Sequence, residues 1–298
     1  MKKLLSAVAV GIALLALQAA FAEPSQPSEA DMAALKKTVS ELKPRSGSVV
    51  LKEGLATITV PEGLQYLDQK DSQTLLVQIW GNPAASATHV LGMVIQSPEA
   101  IMQGGWGMVI TYREDGHVDD ADAEKIDFEG VLKQMKEGVV EANKERAKNG
   151  YPAVNLVGWA EPPHYDPSTH KIYWAKDLVF ADNPEHTLNY CTRILGRRGV
   201  LEFNAVAPVE SLSTIRNEAK RVLAGVDFNS GNRYADFNKS TDKLATYGLA
   251  ALVAGGIAGK MGLFKMLFVA LLAAKKLVVV GVMAIVAAIK KFFARKEA

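Results

Sequence analysis

The sequence predicts an α+β domain whose mainly antiparallel sheet carries packed helices, an α/β/α sandwich-like arrangement, followed by a C-terminal transmembrane helix or helical hairpin. Three observations predict this architecture. Four strand candidates follow one another between Val154 and Ala207, joined by turn-forming sequences such as Asp166-Pro167. Residues Phe128–Lys148 place apolar side chains at helical spacing. Finally, the apolar run from Leu244 to Ile289 is longer than one membrane span requires.

The first 22 residues have the pattern of a secretory signal peptide. Lys2 and Lys3 precede an apolar run from Leu4 to Leu17, and Ala20-Phe21-Ala22 supplies a small-residue cleavage site. The compact basic start is typical of bacteria, so we predict that the mature chain is exported. Residues 23–44 begin with Pro, Ser and Glu before a short helical pattern, and we interpret them as a lead-in segment.

Residues 45–228 are predicted to form the exported α+β domain. Its predicted helices end at residues that commonly stop helices, as Gly225 does for the last one. The predicted strands are Ser48–Leu51, Leu55–Val60, Val90–Ile95, Trp106–Tyr112, Val154–Trp159, Ile172–Phe180, Leu188–Leu195 and Val200–Ala207. The predicted helices are a short one from Asp71 or Ser72 to Ile79, Phe128–Lys148 capped by Asp127, and Val209–Ala224.

The C-terminal part is predicted to hold the protein at a membrane. Residues 229–243 are polar and are interpreted as a linker, residues 244–293 as the anchor, and residues 294–298 as its basic end. Two crossings are favoured because Leu277–Ile289 has no polar side chain, whereas a basic stripe favours one crossing followed by a helix in the membrane plane. Ala251, Gly255 and Gly259 recur every four residues, a spacing that lets membrane helices pack closely. The chain could form a homo-oligomer through such packing of its anchor.

Charge separates the domain from the tail. Residues 23–243 contain 24 basic and 31 acidic side chains, a net charge of −7, whereas residues 244–298 contain eight basic and one acidic side chain. An acidic domain disfavours nucleic acid as a partner, and a basic apolar tail suits anionic membrane lipid. Cys191 is the single cysteine, so no internal disulfide can form. No motif indicates a cofactor.

The densest group of chemically active side chains lies between Trp159 and His170. Glu161, His164 and Asp166 could act as acid and base, or with His170 could bind a divalent metal, if they converge in space. The alternative is that Pro162-Pro163 makes a rigid hairpin connection and splays these side chains apart. The sequence favours this structural interpretation, so these residues are only candidates and no metal site is predicted.

Aromatic and basic residues provide candidates for binding. Trp159 and Tyr165 flank the acidic stretch, and Arg193 and Arg197 lie near Cys191, whose thiol they could activate. A lone strand cysteine is more commonly a small packing residue, and the arginines could simply solvate a turn. Three further aromatic residues are interpreted as membrane-interface anchors in preference to domain-core residues: Tyr234, Phe237 and Tyr247.

Five phrases resemble a bacterial family of uncharacterised membrane-anchored proteins, a domain of unknown function. They are VPEGLQYL (60–67), WGNP (80–83), VGWAEPPHYD (157–166), NYCTRILGRRG (189–199) and RYADFNKSTDKLATYGLAALVAGG (233–256). The resemblance implies a signal peptide, an exported domain and a C-terminal anchor, and brings no activity or catalytic residue. The order of elements also resembles the PsbP and Mog1-like sandwich.

These observations lead to one functional expectation and two alternatives. We expect a non-enzymatic binding or assembly module of the bacterial envelope, with its domain in the periplasm and its tail in the inner membrane. Its expected partners are membrane lipid and other envelope proteins. The alternatives are an envelope hydrolase or metal-binding protein that uses the Glu161–Asp166 loop, and a membrane oligomer formed by the tail.

Overall fold

The computed structural model describes residues 29–82, 84–148 and 151–255, which form two antiparallel sheets with helices packed on them. The smaller sheet has the order β1-β2-β10 and the larger one β3-β4-β5-β9-β8-β7-β6. The strands are β1 (Gly47–Leu51), β2 (Ala56–Val60), β3 (Gln65–Asp68), β4 (Val90–Ile95), β5 (Gly107–Arg113), β6 (Val154–Asp166), β7 (Lys171–Phe180), β8 (Asn183–Leu195), β9 (Val200–Pro208) and β10 (Val226–Phe228).

Six α-helices are present among the described residues, and the longest is α4, whose first turn is capped by Asp127 as the sequence predicts. The Asp127 carboxylate accepts hydrogen bonds from the amides of Glu129 and Gly130. The helices are α1 (Glu29–Ser40), α2 (Gln69–Thr74), α3 (Pro98–Met102), α4 (Phe128–Lys148), α5 (Leu212–Ala224) and α6 (Leu249–Val253).

The larger sheet is buried on both faces, since its strands send alternate side chains to opposite sides and each side joins a different buried apolar cluster. Along β9, Leu201, Phe203 and Ala205 pack with α5 and the smaller sheet, whereas Val200 packs with α4 and α6 on the opposite face. A third apolar cluster joins β3 and β4 to α1, α2 and α3. The predicted α+β class with antiparallel sheets is therefore confirmed, with helices on both faces of the larger sheet.

The main difference from the predicted strands is the length of β6. It continues to Asp166, so the predicted Glu161–Asp166 loop is strand, interrupted by register shifts before Gly158, Glu161 and His164. Pro162 and Pro163 lie on the edge strand, within the register shift between Glu161 and His164, where neither has a paired residue and their missing N–H groups remove no ladder bond. This position explains how Pro162-Pro163 fits within a strand. The short elements β3, α3, β10 and α6 were not predicted because three to five residues show little periodicity.

The C-terminal part of the described chain packs on the domain. Leu249, Leu252 and Val253 of α6 are buried in the same cluster as α4. The described ranges contain no helix with the length and apolar character of a membrane span. The predicted signal peptide, residues 1–22, and the predicted anchor beyond Gly255 lie outside the described residues.

Candidate functional site

Four segments that are far apart in sequence meet at one end of the larger sheet. They are the loop between β5 and α4, the β6–β7 turn, the β8–β9 turn and the chain after β10. Backbone bonds join them: Gly116 N donates to the carbonyl of Arg198, and Arg197 N to that of Asn232, at 3.0 and 2.9 Å. We call this region the polar end, and the residues around Asp120 within it the Asp120 cluster.

Asp120 is the centre of the Asp120 cluster. Its Oδ1 lies 2.9 Å from the hydroxyl of Tyr234, and its Oδ2 accepts a hydrogen bond from the hydroxyl of Tyr165 and lies 3.2 Å from Nδ1 of His170. Burial alone would raise the pKa of Asp120, but these three contacts outweigh it and hold the pKa below its ordinary value. Burial and the same carboxylate raise the pKa of Tyr165 and Tyr234. Asp120 therefore stays ionised and ties three segments together.

His170 has the geometry of an oriented imidazole. Its Nδ1 lies 3.1 Å from the Tyr165 hydroxyl as well as near Asp120, and its ring stacks on Tyr234 with centroids 4.0 Å apart. An ionised carboxylate only accepts hydrogen bonds, so Nδ1 is the donor in this contact, and Nε2 is the ring nitrogen that Asp120 does not bind. The side chain is 31% exposed. The backbone φ of His170 is +51°, an uncommon left-handed conformation that places the ring over Tyr234.

His117 extends the Asp120 cluster into the domain. Its ring stacks on Phe237 at 3.9 Å and contacts Tyr234 at 4.2 Å, and burial lowers its pKa. Its backbone bonds the chain before α6: His117 N donates to the Lys243 carbonyl, and Ala245 N donates to the His117 carbonyl. The sequence favoured Tyr234 and Phe237 as membrane-interface anchors. The structure corrects this interpretation, because both rings pack on His117 at the edge of the domain core.

Two ion-pair groups fasten the same C-terminal segment. Arg197 forms a bidentate pair with Asp242, at 2.7 and 3.0 Å, which lowers the pKa of Asp242 to about 2. The hydroxyl of Tyr247 lies 2.7 Å from Asp115 and 3.1 Å from Arg113. Tyr247 too was interpreted as an interface anchor, and it is instead bound to charged groups of the domain.

Gly116 makes room for this segment. Its φ is +111°, and a Cβ there would lie 2.8 Å from both Ala245 N and the Lys243 carbonyl. A side chain at position 116 would therefore collide with backbone, which cannot move without breaking the bonds of His117. Residues 229–255, which include the predicted linker, thus lie against the sheet through many separate contacts.

The predicted catalytic residues do not converge. Glu161 forms an ion pair with Arg216 of α5 at 2.8 Å. His164 packs against Tyr173, with ring centroids 5.1 Å apart. Asp166 is exposed and accepts hydrogen bonds from Ser168 and Thr169, which lower its pKa to about 2 and shape the β6–β7 turn.

The predicted binding residues have separate positions. Trp159 Nε1 donates to the Phe128 carbonyl at 3.4 Å, which joins β6 to α4. Tyr165 belongs to the Asp120 cluster and Arg197 to the pair with Asp242. Arg193 is buried under α4, where its Nε lies 3.1 Å from Glu202 and its guanidinium lies over Trp174. None of the four forms a site with the others.

A buried charged centre surrounds Arg193. Lys176 is 5% exposed, and the charged groups that act on it are Arg193 and Glu202. Burial lowers the pKa of its ammonium, and the adjacent Arg193 acts in the same direction. Cys191 is fully buried and lies 3.2 Å from the Asn189 side-chain oxygen. Burial of Cys191 fits a packing role.

An open groove lies between α4 and α6. It has a volume of 590 Å³, a floor that includes Val131 and Met135, and a wall that includes Ala251 and Ala254. Within residues 29–82, 84–148 and 151–255, no three His, Cys, Asp or Glu side chains are placed to hold a metal ion. The lining of the groove is mainly apolar, unlike the hydrogen-bonded polar end.

The predicted small-residue face is only partly described. Ala251 lies in α6 and lines the groove, but α6 ends at Val253 and Gly255 has a φ of +103°. Ala251 and Gly255 are therefore not on one continuous helix. Gly259 lies outside the described residues.

Sequence reasoning missed Asp120, His117 and Asp115 as partners of the residues it selected. They lie in the stretch Glu114–Asp127, which has many acidic residues but neither period nor motif. The sequence analysis selected His170, Tyr165 and Tyr234 for separate reasons and did not group them. Their convergence depends on strand order, which local patterns do not specify.

Comparisons with solved structures find weak likenesses. One is the solution structure of cyanobacterial PsbP (CyanoP) from Synechocystis sp. PCC 6803, with a TM-score of 0.34, and another is the crystal structure of the Saccharomyces cerevisiae Ran-binding protein Mog1p, with a TM-score of 0.33. Each is 12% identical to this chain and matches 63% of it, and the matches cover 92% and 96% of the two proteins. Scores at this level support no argument about function.

Sequence comparison gives the family. No curated protein matches the chain. A family model described as a protein of unknown function (DUF2167) matches residues 43–286. That range is most of the chain, and the protein therefore belongs to the DUF2167 family.

Proposed function

We propose that this protein is an exported binding or assembly module of the bacterial envelope, held at the inner membrane by its C-terminal tail with its domain in the periplasm. The observation that carries the proposal is that residues 229–255 are bonded into the domain. The apolar sequence therefore begins at the domain surface without an intervening free linker, an arrangement that would give the domain a fixed orientation at a membrane.

The sequence at both ends supports this location. Lys2, Lys3 and the small-residue pattern ending at Ala22 are typical of a cleaved export signal. Four basic residues follow the apolar tail, at Lys290, Lys291, Arg295 and Lys296, and basic residues favour the cytoplasmic side of a bacterial inner membrane.

The packing of α6 bears on the number of crossings. Residues 244–255 belong to the domain, so the apolar run that follows is 256–289, or 34 residues. Two helical crossings need about 40 residues, and one needs about 20. We therefore propose one crossing, in place of the two that the sequence favoured. Anionic lipid and other envelope proteins are the proposed partners.

Membrane extraction tests the location. The full chain is expected in the membrane fraction after alkaline washing, whereas a chain stopped after Gly255 is expected to be released as a folded soluble domain. A full chain released by the wash would contradict the proposed tether. A reporter fused after Ala298 should be active on the cytoplasmic side.

A second candidate function follows from the carboxylate-oriented imidazole at His170. An imidazole held by a carboxylate can remove a proton from water or a hydroxyl group. A panel of chromogenic carboxylic and phosphate esters tests it: hydrolysis that is lost in His170→Gln and kept in His164→Gln would support acid–base catalysis. Equal activity of the two variants would exclude His170 as the base.

A further inference from the structure

The α4/α6 groove has the size and lining of a docking site. Pockets for ligands commonly enclose roughly 300–1,000 Å³ and are mainly apolar, and this groove measures 590 Å³. Two carboxylates, Asp122 and Asp127, and one ammonium, Lys125, line its polar part. Its occupant should therefore be apolar with some positive charge.

Gly138 indicates that the occupant is a polypeptide. It lies inside α4 and lines the groove, yet a Cβ at this position would meet nothing within 4 Å. Gly130 has a local reason to be glycine, since a Cβ there would lie 2.5 Å from the Asp127 carboxylate. Glycine within a helix is unfavourable, and none of the described neighbours of Gly138 requires it. Close approach of another backbone would require it.

We propose that residues 256–265 of the same chain occupy this groove. They follow directly after Ala254 and Gly255, and Ala254 is part of the groove wall. The positive φ of Gly255 turns the chain at this point. Ten residues extend about 15 Å even when helical, comparable to the distance of about 16 Å along α4 from Asp127 to Gly138.

The composition of this segment matches the groove. Its sequence, GIAGKMGLFK, combines glycines and an alanine with apolar side chains, and the positive charges of Lys260 and Lys265 complement the negative charges of Asp122 and Asp127 in the groove. It is continuous with the docked residues 244–255. If residues 256–265 bind in the groove, the domain would be held close to the membrane or protein that binds the residues after Lys265.

Disulfide trapping in the full-length protein in its native membranes tests the proposal. Gly138→Cys is combined in turn with cysteine at Ala258, Gly259, Gly262 or Phe264, because a disulfide needs Cα atoms within about 7 Å. At least one pair should lose both free thiols on mild oxidation and remain a single chain. Cys191 is fully buried and should not compete.

The matched control is Val140→Cys, which is 64% exposed and does not line the groove. The same partners should leave its thiols free. Failure of all four Gly138→Cys pairs, equal trapping by Val140→Cys, or disulfides formed only between two chains would each overturn the proposal. A failed trap would leave the membrane extraction result unaffected, so the two proposals can fail separately.

A second measurement covers the case in which a cysteine variant fails to fold. Gly138→Leu should increase tryptic cleavage after Lys260 and Lys265, because the added side chain fills the groove and displaces the segment. Val140→Leu should leave cleavage unchanged. Unchanged cleavage in folded Gly138→Leu would also overturn the proposal.

Discussion

The β6 stretch from Trp159 to Asp166 and the Asp120 cluster contain similar side chains but arrange them in opposite ways. Glu161, His164 and Asp166 are close in sequence, yet each contacts a different part of the domain. Asp120, His170 and Tyr234 are more than 100 residues apart from first to last, yet they touch. Proximity along a strand therefore says little about a site, since alternate side chains point to opposite faces and bulges turn others.

The comparison also separates two structural roles. The side chains of the β6 stretch each stabilise a local feature, such as the β6–β7 turn or the contact with α5. Those of the Asp120 cluster join distant segments and hold the chain that leads to α6. The Asp120 cluster therefore helps to attach the C-terminal segment to the domain.

The largest effect is expected for Asp120→Ala. Removing this partly buried carboxylate leaves Tyr165, Tyr234 and His170 without their shared acceptor, and hydrogen bonds to charged groups contribute about 1.5–3 kcal/mol each. We expect the free energy of unfolding to fall by about 3 kcal/mol, measured by urea denaturation. Asp119→Ala is the control, since Asp119 accepts one bond, from Ala121 N. An equal decrease in the free energy of unfolding in both variants would contradict the role of Asp120 in joining distant segments, and with it the contrast with the β6 stretch.

The next effect is a loss of stability in acid. The pKa of Asp120 is lowered in the folded state, so its contribution is present above the ordinary carboxyl pKa and is lost as the pH falls through the folded value. The wild-type urea midpoint should therefore fall between pH 5 and pH 2 more steeply than that of Asp120→Asn. Parallel curves for the two proteins would show that Asp120 does not carry this dependence.

A smaller effect is expected for the ion pair in the β6 stretch. Glu161 and Arg216 have side-chain exposures of 17% and 35%, and such pairs contribute up to about 1 kcal/mol. A double-mutant cycle with Glu161→Gln and Arg216→Gln should give a coupling energy below about 1 kcal/mol. A much larger coupling would mean that this stretch, too, joins distant parts of the fold.

The smallest effect is expected for Asp166→Asn. Asparagine keeps one oxygen for the two hydrogen bonds from Ser168, and its amide nitrogen can donate to the Thr169 hydroxyl in place of the lost acceptor, so the turn should persist. The thermal midpoint at pH 7 should match that of the wild type within error. A clear decrease would show that the charge of Asp166, and not only its geometry, stabilises the turn.

Periodicity predicted the elements that are long. α4, with its Asp127 cap, and the consecutive strands β6 to β9 follow patterns that a single sequence displays. The pairing of β5 with β9 leaves no local signal, because it joins residues about 90 positions apart. It is this pairing that brings the loop containing Asp120 beside the β8–β9 turn.

Hydrophobicity alone misjudged the start of the tail. Leu249, Leu252 and Val253 look like the first part of a membrane span, but they fill the space over α4 and are buried there. An apolar helix can be buried in lipid or in protein, and the sequence pattern is the same for both. A Cβ at Gly116 would collide with the backbone of residues 243–245, so glycine at this position lets the segment pack on the domain. This close approach can be recognised only in the three-dimensional structure.

Hydrogen exchange of the full-length protein in native membranes tests the central claim most directly, which is that residues 244–255 belong to the domain. The amides of Ala245, Leu252 and Ala254 donate to backbone carbonyls, so we predict exchange as slow as that of α4. Exchange of these amides as fast as in an unfolded chain, with α4 still protected, would contradict the account.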